Sequence, residues 1–155
     1  MAKQGRDYGI EGESWQSRKM STNALRKATI ADFNKMIRAE AADDDGFCHC
    51  CTCDKVFRWD GGIKEAHSGH FVAGSTSGVV FDERNCHPQC PRCNYYMDGN
   101  QEVYSTFMLE RYGPLVIAEL QALRRVARKY YRSDYLEMRA GFRARIKVQK
   151  QRLGH

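Results

Sequence analysis

Two cysteine-rich segments, "CHCCTCDK" at 48–55 and "CPRC" at 90–93, constrain the fold of this chain more than any other feature. A CxxC turn directs two sulfur atoms at one point, and zinc favours four thiolates arranged as a tetrahedron. The two segments together predict one structural Zn²⁺ site. We assign its ligands as Cys50, Cys53, Cys90 and Cys93, and the pair Cys48 and Cys51 is the alternative for the first turn.

Seven cysteines in 155 residues would also suit a disulfide framework or a redox pair. The first twenty residues do not resemble a signal peptide, and no apolar run approaches membrane length. We therefore expect a soluble protein in a reducing compartment, with no membrane partner. In that setting metal binding is favoured over disulfides, and loss of the ion is expected to unfold the cysteine-rich centre.

Hydrophobic periodicity predicts helices on both sides of the cysteine-rich centre. The first covers 23–41, after a cap at Ser21 or Thr22. A second covers 100–113, with Val103, Phe107, Met108 and Tyr112 on its inner side. Two further helices are predicted, one over 114–133 opening at Pro114 and one over 135–152 after a cap at Ser133 or Asp134.

Short apolar runs bounded by glycine and serine predict β-strands at 69–74 and 78–83, joined by a loop around 75–78. The predicted fold class is therefore α+β, with a zinc-stapled ββα centre between an N-terminal helix and C-terminal basic helices. The predicted organisation is a flexible leader at 1–20, a core at 21–113 and a basic helical arm at 114–155.

The net charge of +6 is unevenly distributed along the chain. Residues 124–152 hold eleven lysines and arginines against Asp134 and Glu137, a balance of +9. Such a segment is typical of phosphate binding, although a solvated helix face is the plainer alternative. The predicted DNA-binding residues are Arg124, Arg125, Arg128, Lys129, Arg132, Arg139, Arg143, Arg145 and Lys147. The aromatic residues among them, Tyr130, Tyr131, Tyr135 and Phe142, either stack on unpaired bases or pack the helices together.

The residues between the two knuckles include more polar groups than a structural zinc needs. His70 lies at the start of the first predicted strand, Asn85 follows the second, and Asn94 directly follows the last cysteine. This order is that of an HNH or ββα-metal nuclease, in which the middle asparagine fixes the loop and orients the base. The alternative is a zinc module whose histidine and asparagine side chains cap turns.

The residue types suit phosphodiester hydrolysis. A neutral imidazole can accept a proton from water, while a divalent cation neutralises the charge that develops on the leaving oxygen. An amide oxygen is a hard ligand that suits Mg²⁺ or Mn²⁺. The candidate catalytic residues are His70, Asn85, His87 and Asn94, and the candidate ligands of the catalytic cation are Asn94 and His87.

Several segments carry a resemblance to a known family: "FNKMIRAE" at 33–40, "SGHFVAG" at 68–74, "VVFDERNCHPQCPRCN" at 79–94 and "LERYG" at 109–113. With "CTC" and the basic "YYRSDYLEMRAGFRARIK", they resemble the NinG/Rap family of lambdoid phages. These recombination proteins are regarded as structure-specific DNA endonucleases that act on Holliday junctions and D-loops. The similarity extends from about residue 25 to residue 147.

The resemblance implies that His70 is the general base and that Asn85, His87 and Asn94 belong to the site. One departure from many HNH enzymes is Gly69, which stands where they place a metal-binding aspartate. A second ligand for the cation must therefore come from elsewhere. The candidates are His67, Asp82, Glu83 and His87.

The preferred function is therefore a Mg²⁺- or Mn²⁺-dependent endonuclease that cuts branched recombination intermediates in phage recombination. One alternative is a non-catalytic zinc module that binds DNA or a recombination partner. Another is a sequence-specific HNH nuclease of the homing or restriction type. The expected partners are junction DNA, a second copy in a homodimer and other phage recombination proteins, in the cytoplasm of a bacterial host.

Overall fold

The structure is a computed structural model that describes residues 15–74 and 78–154. Its helices are α1 (Trp15–Arg18), α2 (Thr22–Ala41), α3 (Gln101–Tyr112), α4 (Pro114–Arg124) and α5 (Arg132–Arg152). Its strands are β1 (Phe47–His49), β2 (Val56–Arg58), β3 (His67–His70) and β4 (Cys86–Gln89). Strands β1 and β2 form one antiparallel hairpin, and β3 and β4 form another. The predicted α+β class is confirmed, while leader residues 1–14 and loop residues 75–77 lie outside the described ranges.

Helix α2 is the longest element of the N-terminal half, and it begins and ends close to the predicted bounds. The Ser21 hydroxyl accepts a hydrogen bond from the backbone N–H of Ala24 at 3.1 Å, which confirms Ser21 as the cap. Leu25, Phe33 and Met36 on its inner face are fully buried. Among the described residues, no helix is both long enough and apolar enough to cross a membrane.

Helix α5 packs along α2 instead of extending away as a separate arm. The rings of Phe33 and Phe142 lie 5.3 Å apart, and Ile146 is buried in the same core. The Arg139 guanidinium donates to the Asp32 carboxylate at 2.8 Å across the two helices. The predicted basic arm at 114–155 is thus partly core, because one face of α5 is apolar enough to be buried against α2.

The second predicted strand is wrong. Residues Gly78–Phe81 form a 3₁₀ turn in which Val79 and Val80 are buried, and the strand that pairs with β3 is Cys86–Gln89. A short apolar run does not distinguish a strand from a buried turn. Pro88 is compatible with a strand at 86–89, because proline is tolerated where a strand lies at a sheet edge, as both strands of a two-stranded sheet do.

The C-terminal helices also differ from prediction. Tyr104 takes the buried place on α3 that had been assigned to Val103, which is 43% exposed. Helix α4 ends at Arg124 because the segment after it turns to pack Tyr130 edge-on against Phe81, with ring centroids 5.4 Å apart. Helix α5 then begins at Arg132, and its Asp134 carboxylate accepts from the backbone N–H of Tyr131 at 2.7 Å.

Candidate metal centre and nucleic-acid site

The two cysteine knuckles meet in space. Cys50 and Cys53 lie in the turn between β1 and β2, and Cys90 and Cys93 follow directly after β4. Their four sulfur atoms all lie within 4.8 Å of one another, and the Sγ atoms of Cys53 and Cys90 are 3.7 Å apart. A tetrahedron with Zn–S bonds of about 2.3 Å requires sulfur pairs about 3.8 Å apart. These four cysteines therefore fit a zinc ion.

The alternative pair, Cys48 and Cys51, lies elsewhere. The Cys48 thiol is buried and donates to the backbone carbonyl of Arg38 at 3.1 Å. Burial raises the pKa of Cys48 to about 12, and burial likewise raises the pKa of Cys51 to about 12. At Cys50, burial would raise the pKa, but hydrogen bonds from Thr52 outweigh it and lower the pKa to about 7. Burial also raises the pKa of Cys53 to about 12 and raises the pKa of Cys90, so the meeting of the four sulfur atoms, and not the pKa values, assigns these cysteines to the metal site.

The β3–β4 hairpin has two faces with different side chains. One face carries His67 and Gly69 on β3 opposite Gln89 and His87 on β4, and it packs against Asn94 and α3. The other face carries Ser68, His70 and Cys86, and it packs against α2. Because side chains alternate along a strand, neighbouring residues of β3 point to opposite faces.

His70, the predicted base, is partly buried on the α2 face. Its Nε2–H donates to the Val80 carbonyl at 3.0 Å, and the Phe33 ring lies 6.2 Å away. The closest partner of Nδ1 is the Cys86 thiol at 3.9 Å, which is a weak contact. Burial lowers the pKa of His70, partly offset by the hydrogen bond to Val80. The imidazole is therefore neutral near pH 7 and has one nitrogen able to accept a proton.

Asn85 is fully buried and braces the loop between the two strands of the hairpin. Its Oδ1 accepts from the backbone N–H of Val72 at 2.8 Å, and its Nδ2 donates to the carbonyls of Val72 and Val79. The chain on either side of the loop is thereby held together. Asn85 positions the backbone and does not face solvent.

His87 belongs to a closed network of hydrogen bonds. The Tyr104 hydroxyl donates to the Gly69 carbonyl at 2.8 Å, so the Nδ1–H of His87 donates to the Tyr104 oxygen at 2.9 Å. The Nε2 of His87 then accepts from the Tyr112 hydroxyl at 2.9 Å. Both ring nitrogens are thus occupied, and the structure does not offer His87 as a ligand for a cation.

Asn94 lies in a short π-helical turn, Arg92–Tyr96, directly after the second knuckle. Its Nδ2 lies 3.0 Å from Nδ1 of His67, on the face of β3 opposite to His70. The structure therefore does not bring the side chains of His70 and Asn94 onto one face. Asp82 and Glu83 are held in ion pairs by Arg84 and Arg145, so two of the four candidates for the second cation ligand are already paired.

Sequence reasoning missed Gln89, which is fully buried beside Gly69 and Asn94. No spacing rule identifies it. The sequence offers two signals: Gln89 is a polar residue next to a cysteine of the second knuckle, and a glycine directly precedes His70. Whether these two residues meet depends on the register of β3 and β4.

The nine predicted DNA-binding residues fall into two groups. Four of them bind other groups of the protein. Three form ion pairs with Asp32, Glu40 or Glu83, namely Arg139, Arg143 and Arg145. The fourth, Arg132, donates to the backbone carbonyls of Ser17 and Met20. Within the described ranges, no ion pair involves Arg124, Arg125, Arg128, Lys129 or Lys147. The Arg128 guanidinium lies over the ring of Tyr130, and the Lys129 ammonium lies over the ring of Tyr131. Tyr135 and Phe142 pack inside, while Tyr131 is 60% exposed.

These features define a small α+β protein in which four cysteines, placed beside the central hairpin, could hold a zinc ion. The sequence profile of the family described as "Bacteriophage Lambda NinG protein" matches residues 2–152, and the chain belongs to that family. It is 27% identical over 100 residues to "Protein ninG" of Salmonella phage P22 and 26% identical over 100 residues to "Protein ninG" of Escherichia phage 933W. Each match covers 63% of this chain and 46% of the relative, about half of its length. No solved structure matches the chain.

Proposed function

We propose that this protein is a divalent-metal-dependent DNA endonuclease that cuts branched recombination intermediates, such as Holliday junctions and D-loops. The observation that carries the proposal is the continuous order of hairpin β3–β4, knuckle and Asn94, with His70 at the end of β3. The family resemblance implies a ββα-metal nuclease with this order. The zinc site would hold the hairpin and Asn94 in place.

In this proposal His70 acts as general base. Its Nε2–H is held by the Val80 carbonyl, which fixes the neutral tautomer and leaves Nδ1 as the proton acceptor. Burial lowers the pKa of His70, so the base remains unprotonated near pH 7. Asn94 contributes an oxygen ligand to Mg²⁺ or Mn²⁺, which when bound supplies charge neutralisation at the leaving oxygen.

A basic cleft adjoins the hairpin and suits the phosphate backbone of DNA. The cleft has a volume of about 500 Å³ and runs from Phe71 and Val72, just after His70, to Arg124 and Arg125 at the end of α4. Phosphate contacts of this kind do not read sequence, which favours recognition by shape. A homodimer is part of the proposal, because paired nicks across a four-way junction call for two-fold symmetry. Other recombination proteins are proposed as further partners.

One observation favours a second candidate, a non-catalytic zinc module that binds DNA. The side chain of His70 leaves β3 on the α2 face, whereas Asn94 contacts the opposite face of β3, so a base and a cation ligand do not lie side by side. Under this alternative His70 and Asn94 stabilise the hairpin and take no part in chemistry. The two candidates make opposite predictions for the same variants.

Cleavage of synthetic DNA by the zinc-loaded protein tests the proposal. Wild type is expected to cut a four-way junction with Mg²⁺ or Mn²⁺ and to cut a linear duplex far more slowly. His70→Ala and Asn94→Ala are each expected to lower the cleavage rate at least about 100-fold while junction binding is retained. His49→Ala is the control, because His49 is exposed and bonded to Asp54 at the knuckle turn. Cleavage by His70→Ala at the wild-type rate, or no cleavage by wild type, would favour the non-catalytic module.

A further inference from the structure

Gln89 has a buried oxygen atom without a partner. The residue is fully buried at the end of β4, and among the described residues no donor lies within hydrogen-bonding distance of its Oε1. Buried acceptors are nearly always paired, because burial removes them from water at a cost in free energy. A group outside the polypeptide is therefore expected at this oxygen.

The orientation of the Gln89 amide is fixed by its other end. Nε2 donates to the Gly99 carbonyl at 2.7 Å and to the Thr52 hydroxyl at 3.0 Å. If the amide were rotated by 180°, its oxygen would face the Gly99 carbonyl oxygen. The oxygen must therefore stay on the side of Gly69 and Asn94.

The Asn94 amide is fixed in a similar way. Nε2 of His67 lies 2.6 Å from the Ile63 carbonyl and donates to it, which leaves Nδ1 as the acceptor of the ring. That acceptor faces Nδ2 of Asn94, which leaves Oδ1 of Asn94 pointing towards Gly69. Two amide oxygens thus approach the same glycine, and neither has a hydrogen-bond donor among the described residues.

Gly69 leaves the space in which the two oxygens meet. A Cβ atom at this position would lie 2.0 Å from Oε1 of Gln89 and 3.0 Å from Oδ1 of Asn94. The absence of a side chain at residue 69 therefore lets Gln89 reach across the hairpin towards Asn94. The amide oxygen of Gln89 occupies the volume that a side chain of residue 69 would begin to fill.

We infer that Oε1 of Gln89 and Oδ1 of Asn94 are the two protein ligands of a hard divalent cation, Mg²⁺ or Mn²⁺. This inference rests on the proposed function and deepens it by replacing His87 with Gln89 as the second ligand. Hard cations take amide oxygens, and Mg²⁺ commonly keeps only one or two protein ligands besides water and substrate phosphates. Asn94 is only partly buried, whereas Oε1 of Gln89 is fully buried, so a cation would reach the site from the Asn94 side.

Two neutral oxygens make a weak site, and this property yields a sharp test. Gln89→Glu exchanges the amide oxygen for a carboxylate oxygen at the same position and is expected to tighten cation binding about tenfold or more. The probe is Mn²⁺ added to the zinc-loaded protein without DNA, followed by the electron paramagnetic resonance signal of free Mn²⁺. Mn²⁺ is not expected to displace zinc from thiolates, because it stands below zinc in affinity.

The matched control is Gln121→Glu, which adds the same charge on the exposed face of α4 and should leave Mn²⁺ binding as in wild type. Adding Asn94→Ala to Gln89→Glu should remove most of the gain. If the buried carboxylate unfolds the variant, Mn²⁺ is expected to restore its circular dichroism spectrum. A Gln89→Glu variant that binds Mn²⁺ no tighter than wild type, keeps its gain without Asn94, or stays unfolded with Mn²⁺ would overturn the inference.

The outcomes separate this inference from the proposed function. Tight Mn²⁺ binding by Gln89→Glu, with no cleavage by wild type, would support the site and contradict the nuclease. Cleavage by wild type, with Mn²⁺ binding insensitive to Gln89→Glu, would support the nuclease and place its cation elsewhere.

Discussion

At the scale of single residues, Gly69 is the position that most depends on its neighbours. It precedes His70, carries the carbonyl that accepts from Tyr104, and leaves room for the Gln89 amide. Its backbone is ordinary extended strand, so the requirement for glycine is steric. The same residue that stands in place of a metal-binding aspartate is the one that leaves room for the Gln89 oxygen, which we propose as a ligand.

Gly69→Ala is expected to lower the free energy of unfolding by about 1–3 kcal/mol, because its Cβ overlaps the fixed Gln89 oxygen. Urea unfolding of the zinc-loaded protein measures this change. Gly141→Ala is the contrasting control, since Gly141 lies inside α5 with nothing within 4 Å of an added Cβ. That control should stabilise the protein by about 0.5–1 kcal/mol. A Gly69→Ala variant as stable as wild type would mean that Gln89 moves aside freely.

At the scale of elements, hydrogen bonds through His87 tie β4 to α3. Tyr104 and Tyr112 stand two turns apart on α3 and bind the two nitrogens of one ring, so the helix is fixed against the hairpin in one register. Burial lowers the pKa of His87 to about 4, with further lowering by the charge of Arg111. The neutral ring is therefore the form that the folded protein holds.

This shift predicts a stability that falls with acid. The unfolded chain protonates His87 near its ordinary pKa of 6.5 while the folded protein resists protonation to about 4, so stability is lost as pH falls below 6.5. Between pH 7.5 and pH 6.0 the loss from His87 is about 1 kcal/mol. Urea unfolding at both values measures it, and His87→Gln should show a correspondingly smaller loss. Equal losses in the two proteins would contradict the role given to His87.

At the scale of the whole molecule, the basic residues divide between fold and surface. In helix α5, the side chains of Arg139, Arg143 and Arg145 form ion pairs with carboxylates of α2 and of the turn before β4. The segment from Arg124 to Lys129 keeps its charges on the surface beside the cleft next to the hairpin. The phosphate-binding surface is therefore expected at the end of α4 and not along the length of α5.

The salt dependence of junction binding tests this division. Each phosphate contact contributes about 0.9 to the slope of log affinity against log salt on duplex DNA. The double variant Arg124→Gln, Arg125→Gln is expected to lower the slope by about 2, measured by fluorescence anisotropy at several salt concentrations. Arg143→Gln is the control, because its charge is paired with Asp32, and it should leave the slope unchanged. The reverse pattern would place the DNA along α5.

The sequence by itself determined the four cysteines that could hold zinc, the Ser21 cap, the α+β class and the presence of a helix at each predicted site, because these depend on local spacing and periodicity. The tertiary structure decided the strand at 86–89, the end of α4 at Arg124, the partners of the arginines and the meeting of Gln89 with Asn94. Strand register and long-range packing set these features. Both arise only when residues that are far apart in the chain come into contact. A buried amide beside a glycine is invisible in a sequence, since only strand pairing places one against the other.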